Sequence, residues 1–305
     1  MKYTEFIDKY PEAKESLEKG INEEIVEIEP IKKGRTNCSF LVNGKKNKYV
    51  FRMPGAGADE LVDRISEAKA YESLKGKGIA DEVLYINPTN GHKIAKYFEN
   101  SRMCDGFCES DVKKLVAKLK ELHSLKLKTD TEYDFFYYIN YYESLKKCEG
   151  SVFPDYEEHK KNIFSLKNFL DDNAEPYCLI HNDMSPENCL FVPDKCGSET
   201  VRFIDWEYAA MQEACADVAY FCTCCEYSAE QIDKIIDMYN VENIDTIKSK
   251  IYCYIAINAL VQSNWLEFKR TVGEEEKEEN LRIYNISKLY YEKSITNISQ
   301  EEFYV

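Results

Sequence analysis

Three shortages narrow the field before any motif is read. Long apolar runs are missing. The longest, IYCYIAINALV at 251–261, falls well short of the roughly 20 residues that cross a bilayer, and no membrane span is expected. The charged opening, MKYTEFIDKYPEAKESLEKG, has no apolar core of a secretory leader, so none is expected either. Basic charge is also short. Forty Lys and Arg against 55 Asp and Glu leave a net charge of −15, which disfavours nucleic acid and anionic membrane as partners and suits a small cation. Histidine is scarce, with four in the chain. The C-x-x-C at Cys222–Cys225 sits in an apolar run, VAYFCTCCEY, with few other metal ligands to join it. The twelve cysteines follow no regular spacing, so buried thiols in a reduced, cytoplasmic protein are expected rather than zinc or a disulfide framework.

What is present divides in two. With 44% hydrophobic residues over 305 positions, the chain can fill two lobes. The first third alternates as strands do: EIVEIEPI, CSFLV and KYVFRM, with a hairpin signal at Asn43-Gly44. A helix over 58–78 follows, with Leu61, Ile65, Ala68 and Leu74 at helical spacing and Gly76 and Gly78 to stop it. DEVLYINPTNGHKIAKYF reads as a further hairpin around Asn90-Gly91. Beyond about residue 103 helices dominate. ESDVKKLVAKLKELHSL aligns Leu115, Leu119 and Leu122 behind a Ser110 cap, 133–170 reads as helix, and so does everything after about 210. Short strands interrupt at YCLIH, CLFV and VRFID. The pattern predicts an α+β, two-lobed protein-kinase-like fold. A small β-rich lobe spans 1–98, a larger, mainly helical lobe spans 99–305, and the hinge lies at about 96–102.

The polar loop HNDMSPEN lies between two of those strands. His181, Asp183 and Asn188 form H-x-D-x-x-x-x-N, and Asp205 follows in RFIDWEYA. Phosphoryl transfer needs such groups: a carboxylate to orient a hydroxyl and take its proton, and hard oxygen donors to hold Mg²⁺ against nucleotide phosphates. Asp183 fits the base, Asn188 and Asp205 fit the ligands, and His181 fits a group that pins the loop. Asp and Asn also cap turns for purely structural reasons. The strand–loop–strand setting and the second aspartate favour the chemistry.

The nucleotide's site is expected in the first lobe. Arg52, on a strand, is placed to reach the α- and β-phosphates, and Glu67, on the following helix, to pair with it. Arg64, one turn earlier, competes for Glu67. There is neither a G-x-G-x-x-G nor a G-x-x-x-x-G-K-[ST] motif, so the turn over the phosphates must rely on Gly34, Thr36 and Asn37 in KKGRTNCSF.

HNDMSPENCLF followed by IDWEYAAMQEACADVAYF resembles the choline/ethanolamine kinase family, within the wider aminoglycoside-phosphotransferase-like kinases. GRTN and YFENSR are similar to the turn and hinge of its bacterial choline kinases, and ELHSL also fits. The resemblance runs from about residue 30 to 270 and is strongest at 181–221. It implies ATP and Mg²⁺ as cofactors and a small cationic alcohol, choline, as acceptor. It adds Tyr97 and Phe98 on the nucleotide side, and gives Asp217 a structural part behind the loop. It implies that Glu207, Trp265 and Tyr284 line the acceptor pocket, where a quaternary ammonium needs aromatic faces and carboxylates. If Asp205 faces the metal, strand alternation puts Glu207 on the same side. Two positions depart from the family pattern: Gln262 replaces a second tryptophan, and Cys224, with Glu226 nearby, replaces an acidic residue. Ethanolamine, another amino alcohol or an aminoglycoside thus stay open as acceptors, as does a silent, nucleotide-binding member. Oligomeric state is not legible.

Overall fold

The structure is a computed structural model and describes residues 1–31, 36–146, 150–239, 243–274 and 276–302. In chain order the elements are α1 (Tyr3–Lys9), α2 (Lys14–Gly20), β1 (Ile25–Pro30), β2 (Asn37–Gly44), β3 (Lys48–Pro54), α3 (Ala58–Leu61), α4 (Arg64–Leu74), β4 (Val83–Ile86), β5 (Lys93–Lys96) and β6 (Arg102–Met103). There follow α5 (Glu109–Ser124), α6 (Phe135–Ser144), α7 (Tyr156–Asp172), β7 (Cys178–Ile180), β8 (Cys189–Pro193), β9 (Glu199–Phe203), β10 (Ala210–Gln212), α8 (Cys215–Cys224), α9 (Ala229–Tyr239), α10 (Ile244–Thr271) and α11 (Lys277–Glu302). They form two compact units, Met1–Met103 with Asn188–Ala209, and Cys104–Glu187 with Ala210–Val305.

The first unit is built on an antiparallel sheet in the order β1-β2-β3-β5-β4. Side chains alternate across a strand. On β3, Phe51 therefore faces one side and Arg52 the other. Phe51 joins Phe6, Leu17, Ile28, Phe40, Val42 and Ile94 in an apolar core capped by α1 and α2. Phe6 meets Phe40 edge-on at 5.0 Å. The opposite face carries Arg52 toward α4. The same unit contains a second sheet, β6-β8-β9.

Three local readings change. The expected helix over 58–78 breaks at Val62, which is extended. Asp63 then caps a new helix by accepting from the amides of Ile65 and Ser66. Ile65 is exposed, and α4 buries Arg64, Ser66, Glu67, Ala70, Tyr71 and Leu74 instead. Of the four spaced residues, Leu61 and Leu74 are buried but Ile65 is not, because the inner face of α4 is partly charged. Asn43-Gly44 ends a strand, and the turn itself is closed by the Gly44 amide on the Asn47 carbonyl at 2.9 Å. Ser110 lies inside the first turn of α5, whose cap position is Cys108.

The second unit is helical around α10, whose residues from Ile247 to Lys269 are almost all buried. It packs on α6, α7, α8, α9 and α11. The stretch 133–170 is two helices, α6 and α7, with Gly150 and Pro154 between them. A short strand, β10, pairs antiparallel with β7. No helix among the described residues is long and apolar enough to cross a membrane. Described cysteines are free thiols; Cys222 and Cys225 are buried, whereas Cys224 is exposed.

The core of this unit contains ions. Lys146 and Glu267, each 1% exposed, meet at 2.6 Å. Glu267 also accepts from the Ser151 hydroxyl at 2.7 Å and the Val152 amide at 3.2 Å. Removing one partner of such a pair leaves an uncompensated buried charge. Lys146→Met is expected to cost about 3–5 kcal/mol in urea unfolding, with Lys146→Met/Glu267→Leu closer to wild type than the single variant. A single variant as stable as wild type contradicts this.

Candidate active site

In the first unit five charged side chains converge. Arg52 binds Glu67 through both terminal nitrogens, NH1 to Oε1 at 2.6 Å and NH2 to Oε2 at 2.7 Å. Its NH1 also donates to Asp205 Oδ1 at 3.0 Å. Arg64 does compete for Glu67, from NH1 at 3.0 Å, but shares it rather than displacing Arg52. Arg64 reaches Glu207 Oε2 at 3.1 Å and Asn37 Oδ1 at 3.0 Å, and Asn37 Nδ2 donates to the same Glu207 oxygen at 2.7 Å.

Burial raises the stakes of every contact here, since charges out of water interact more strongly. Burial alone pushes the Glu67 carboxyl up, but Arg52, Lys93 and Arg64 outweigh it and hold it down at about 2. Burial works against the Arg52 charge, yet Glu67, Asp205 and Glu207 hold its pKa above the ordinary value. Glu207 goes the other way: burial first, then Asp205, push it up to about 7 against the pull of Arg52.

Asn188 and Asp205 belong to one hairpin. Cys189 pairs with Phe203, and one step further the Ile204 amide donates to the Asn188 carbonyl at 2.9 Å. Asn188 and Asp205 therefore flank the same end. Asp205 is left-handed at φ 66°, a conformation aspartate tolerates better than most residues. The chain leaves strand geometry there. Glu207 sits in a turn closed by the Ala209 amide on the Trp206 carbonyl, so strand alternation is not what aims it. It reaches the Asp205 neighbourhood through Arg64 and Asn37. Thr36 and Asn37 are buried, and Gly34 lies outside the described residues. Tyr97 and Phe98, half-buried, follow β5 directly, with the Tyr97 amide on the Lys48 carbonyl.

The second unit holds the other half of the H-x-D-x-x-x-x-N motif. Asp217, fully buried at the start of α8, accepts from the amides of His181 at 2.9 Å and Asn182 at 2.8 Å and from His123 Nε2 at 3.0 Å. His181 is buried, and its Nδ1 faces the Asp183 amide at 3.2 Å. Asn182 is left-handed at φ 61°. The loop is thus held by its backbone, and the half-buried Asp183 comes next in the chain. Tyr133, whose phenol is pushed up by burial, hydrogen-bonds Asn182.

Sequence reading missed three residues here. Arg64 was seen only as a competitor for Glu67. His123, in ELHSL, and Tyr133 were given no part. A histidine among only four was the available signal for His123; nothing local marks Tyr133.

The acceptor candidates differ in setting. Trp265 is half-buried against Ala259, Leu266, Ile283 and Ile286, with Lys269 Nζ at 5.7 Å from its ring centre. Tyr284 is 2% exposed; Phe153 stacks on its ring at 3.8 Å and its hydroxyl donates to Asp155 at 3.0 Å. Glu226 pairs with Arg282.

Magnesium is held elsewhere in phosphoryl transfer by one or two oxygen side chains together with the phosphates. Asn188 and Asp205, two oxygen donors at one hairpin end beside an acid-rich cluster, fit an ion shared with a nucleotide.

The fold is that of the two-lobed, kinase-like phosphotransferases. The choline kinase LicA from Streptococcus pneumoniae matches with a TM-score of 0.77 at 23% identity, over 98% of this chain and 99% of that one. LicA in complex with AMP matches with a TM-score of 0.81 at 24% identity, over 94% and 98%. Among curated sequences, Protein LicA of Haemophilus influenzae is 26% identical over 263 residues, 84% of this chain and 76% of that one. The sequence profile described as choline/ethanolamine kinase matches residues 28–299, and the chain belongs to that family. It is a kinase.

One glycine tests the cluster's packing. Gly91, at φ 68°, turns over both guanidinium groups. A Cβ there would lie 2.6 Å from Pro54 Cγ and 2.8 Å from Arg64 Nε. Gly91→Ala is expected to destabilise the protein by about 1–3 kcal/mol in chemical denaturation. No change in midpoint contradicts the packing.

Proposed function

We propose that the protein transfers the γ-phosphoryl group of ATP to choline, giving phosphocholine and ADP, with Mg²⁺ as cofactor. The observation that supports this is the placement of Asn188 and Asp205 at one hairpin end, next to the Arg52–Glu67 pair, in a member of the choline/ethanolamine kinase family. The proposed lobes are 1–98 for the nucleotide and 99–305 for catalysis and acceptor, with the hinge at 96–102, although the hairpin segment Asn188–Ala209 is grouped with the first compact unit.

Asp183 accepts the hydroxyl proton as the choline oxygen bonds to the γ-phosphorus and the bond to the bridging oxygen of ADP breaks. Asn188 and Asp205 hold Mg²⁺, which supplies charge neutralisation on the phosphates. Arg52, kept in place by Glu67, reaches the α- and β-phosphates. Gly34, Thr36 and Asn37 cover them, Asn37 through its main chain because its side chain is engaged. Tyr97 and Phe98 border the base. His181 and Asp217 keep the loop in register. Glu207, Trp265 and Tyr284 form the acceptor side. Of these, Trp265 offers a partly open ring, whereas Tyr284 is covered by Phe153 and supports the wall from within. ATP and free thiols suit the cytoplasm.

Choline is favoured over ethanolamine by the kinship with LicA, named a choline kinase in S. pneumoniae. A second reading, ethanolamine or another amino alcohol, is favoured by Gln262 and Cys224, which thin the aromatic and acidic lining. An acceptor panel read by coupled ADP release decides between them. Choline- and Mg²⁺-dependent turnover is expected, falling about 10²–10⁴-fold in Asp183→Ala. Turnover with aminoglycosides and none with choline overturns the proposal.

A further inference from the structure

We propose that Arg64 is a positioning residue of this reaction: a second buried guanidinium that locks the start of β2 to the Asp205–Glu207 segment. The inference rests on the kinase reading above.

Arg64 is the first residue of α4, where a cation opposes the helix dipole. It is also 8% exposed, so it has given up most of its hydration. Helix formation explains neither choice. Neutralising Glu67 does not explain them either, because Arg52 already grips both oxygens of that carboxylate. What Arg64 adds is reach to Asn37, with a closer hold on Glu207, which Arg52 NH1 approaches only at 3.6 Å. NH1 donates to Glu207 at 3.1 Å and NH2 to Asn37 at 3.0 Å. Asn37 completes the triangle through Nδ2 on Glu207 at 2.7 Å. These three side chains come from α4, from the start of β2 and from the turn after Asp205, elements far apart in sequence. Gly91 closes over the guanidinium, leaving no room for a side chain at that turn.

The consequence is mechanical. The turn proposed to cover the phosphates ends at Asn37, and the segment proposed to hold Mg²⁺ runs from Asp205 into Glu207. A fork of fixed donors ties the two better than a single ammonium can. Arg64 touches neither nucleotide nor acceptor; it fixes the distance between the groups that hold the nucleotide and its ion.

The test is steady-state kinetics with ATP and choline varied separately, on wild type, Arg64→Gln, Arg64→Lys, Asn37→Ala and Arg64→Gln/Asn37→Ala, with thermal unfolding recorded for each. Arg64→Gln is expected to raise the KM for ATP about tenfold, with the KM for choline changing less than about twofold. Arg64→Lys recovers part of the loss. The double variant is no worse than the worse single one, because both break one linkage. Unchanged ATP kinetics in folded Arg64→Gln, equal rises in both KM values, or additive losses in the double variant overturn the proposal. Should Arg64→Gln fail to fold, Arg64→Lys and Asn37→Ala must each raise the KM for ATP alone; failure to do so overturns it equally. If wild type turns over no amino alcohol, the functional reading fails by itself. Calorimetric titration of MgATP then carries the test: weaker binding in Arg64→Lys supports the linkage, and unchanged affinity overturns it.

Discussion

The Arg52–Glu67 contact is the constraint on which the rest of the first unit depends. Neither group survives burial without the other: Arg52 is 3% exposed and Glu67 is 1% exposed. Once paired, they set the face of α4 that must turn inward. Arg52 NH1, shared between Glu67 and Asp205, also ties the end of the β8–β9 hairpin to the same place. The helix break at Val62 and the tight turn at Gly91 follow from making room for this cluster.

Charge links that packing to function. Glu67, Asp205 and Glu207 crowd against Arg52 and Arg64, with Lys93 also pulling on Glu67, and all of these but Asp205 are buried. Glu207 responds by binding its proton more tightly than a solvated carboxylate does. A divalent ion bound with nucleotide phosphates, as proposed above, suits this balance, with Arg52 proposed to meet the anion. The second unit does different work. Asp217 grips two successive amides of the His181 loop and so fixes the backbone that leads into Asp183.

Much of this was legible in the residues. Strand alternation alone separates Phe51 from Arg52, and an acid one helix later is the natural partner for a buried cation. H-x-D-x-x-x-x-N followed by Asp205 is specific because phosphoryl transfer needs those oxygen donors in a strand–loop–strand frame. The family resemblance read from 181–221 agrees with the profile match over 28–299. On α4 apolar spacing finds Leu74 but misplaces Ile65, because apolar periodicity cannot register a buried surface made of Arg64 and Glu67. The aim of Glu207 was derived from a strand that ends at Phe203, and a left-handed aspartate is invisible to strand propensity. Tyr133 and His123 support the loop from 48 and 58 residues upstream of His181, by contacts that only the folded chain creates.

The most direct test is Mn²⁺ binding, followed by electron paramagnetic resonance in the presence of ATP, in wild type, Asp205→Asn and Asp183→Asn. Mn²⁺ takes the same oxygen donors as Mg²⁺. If the hairpin end built on Arg52 and Glu67 holds the ion and the loop supplies only the base, ATP-dependent Mn²⁺ binding weakens about tenfold or more in Asp205→Asn and stays near wild type in Asp183→Asn. Wild-type binding in Asp205→Asn, or equal loss in both variants, contradicts that division.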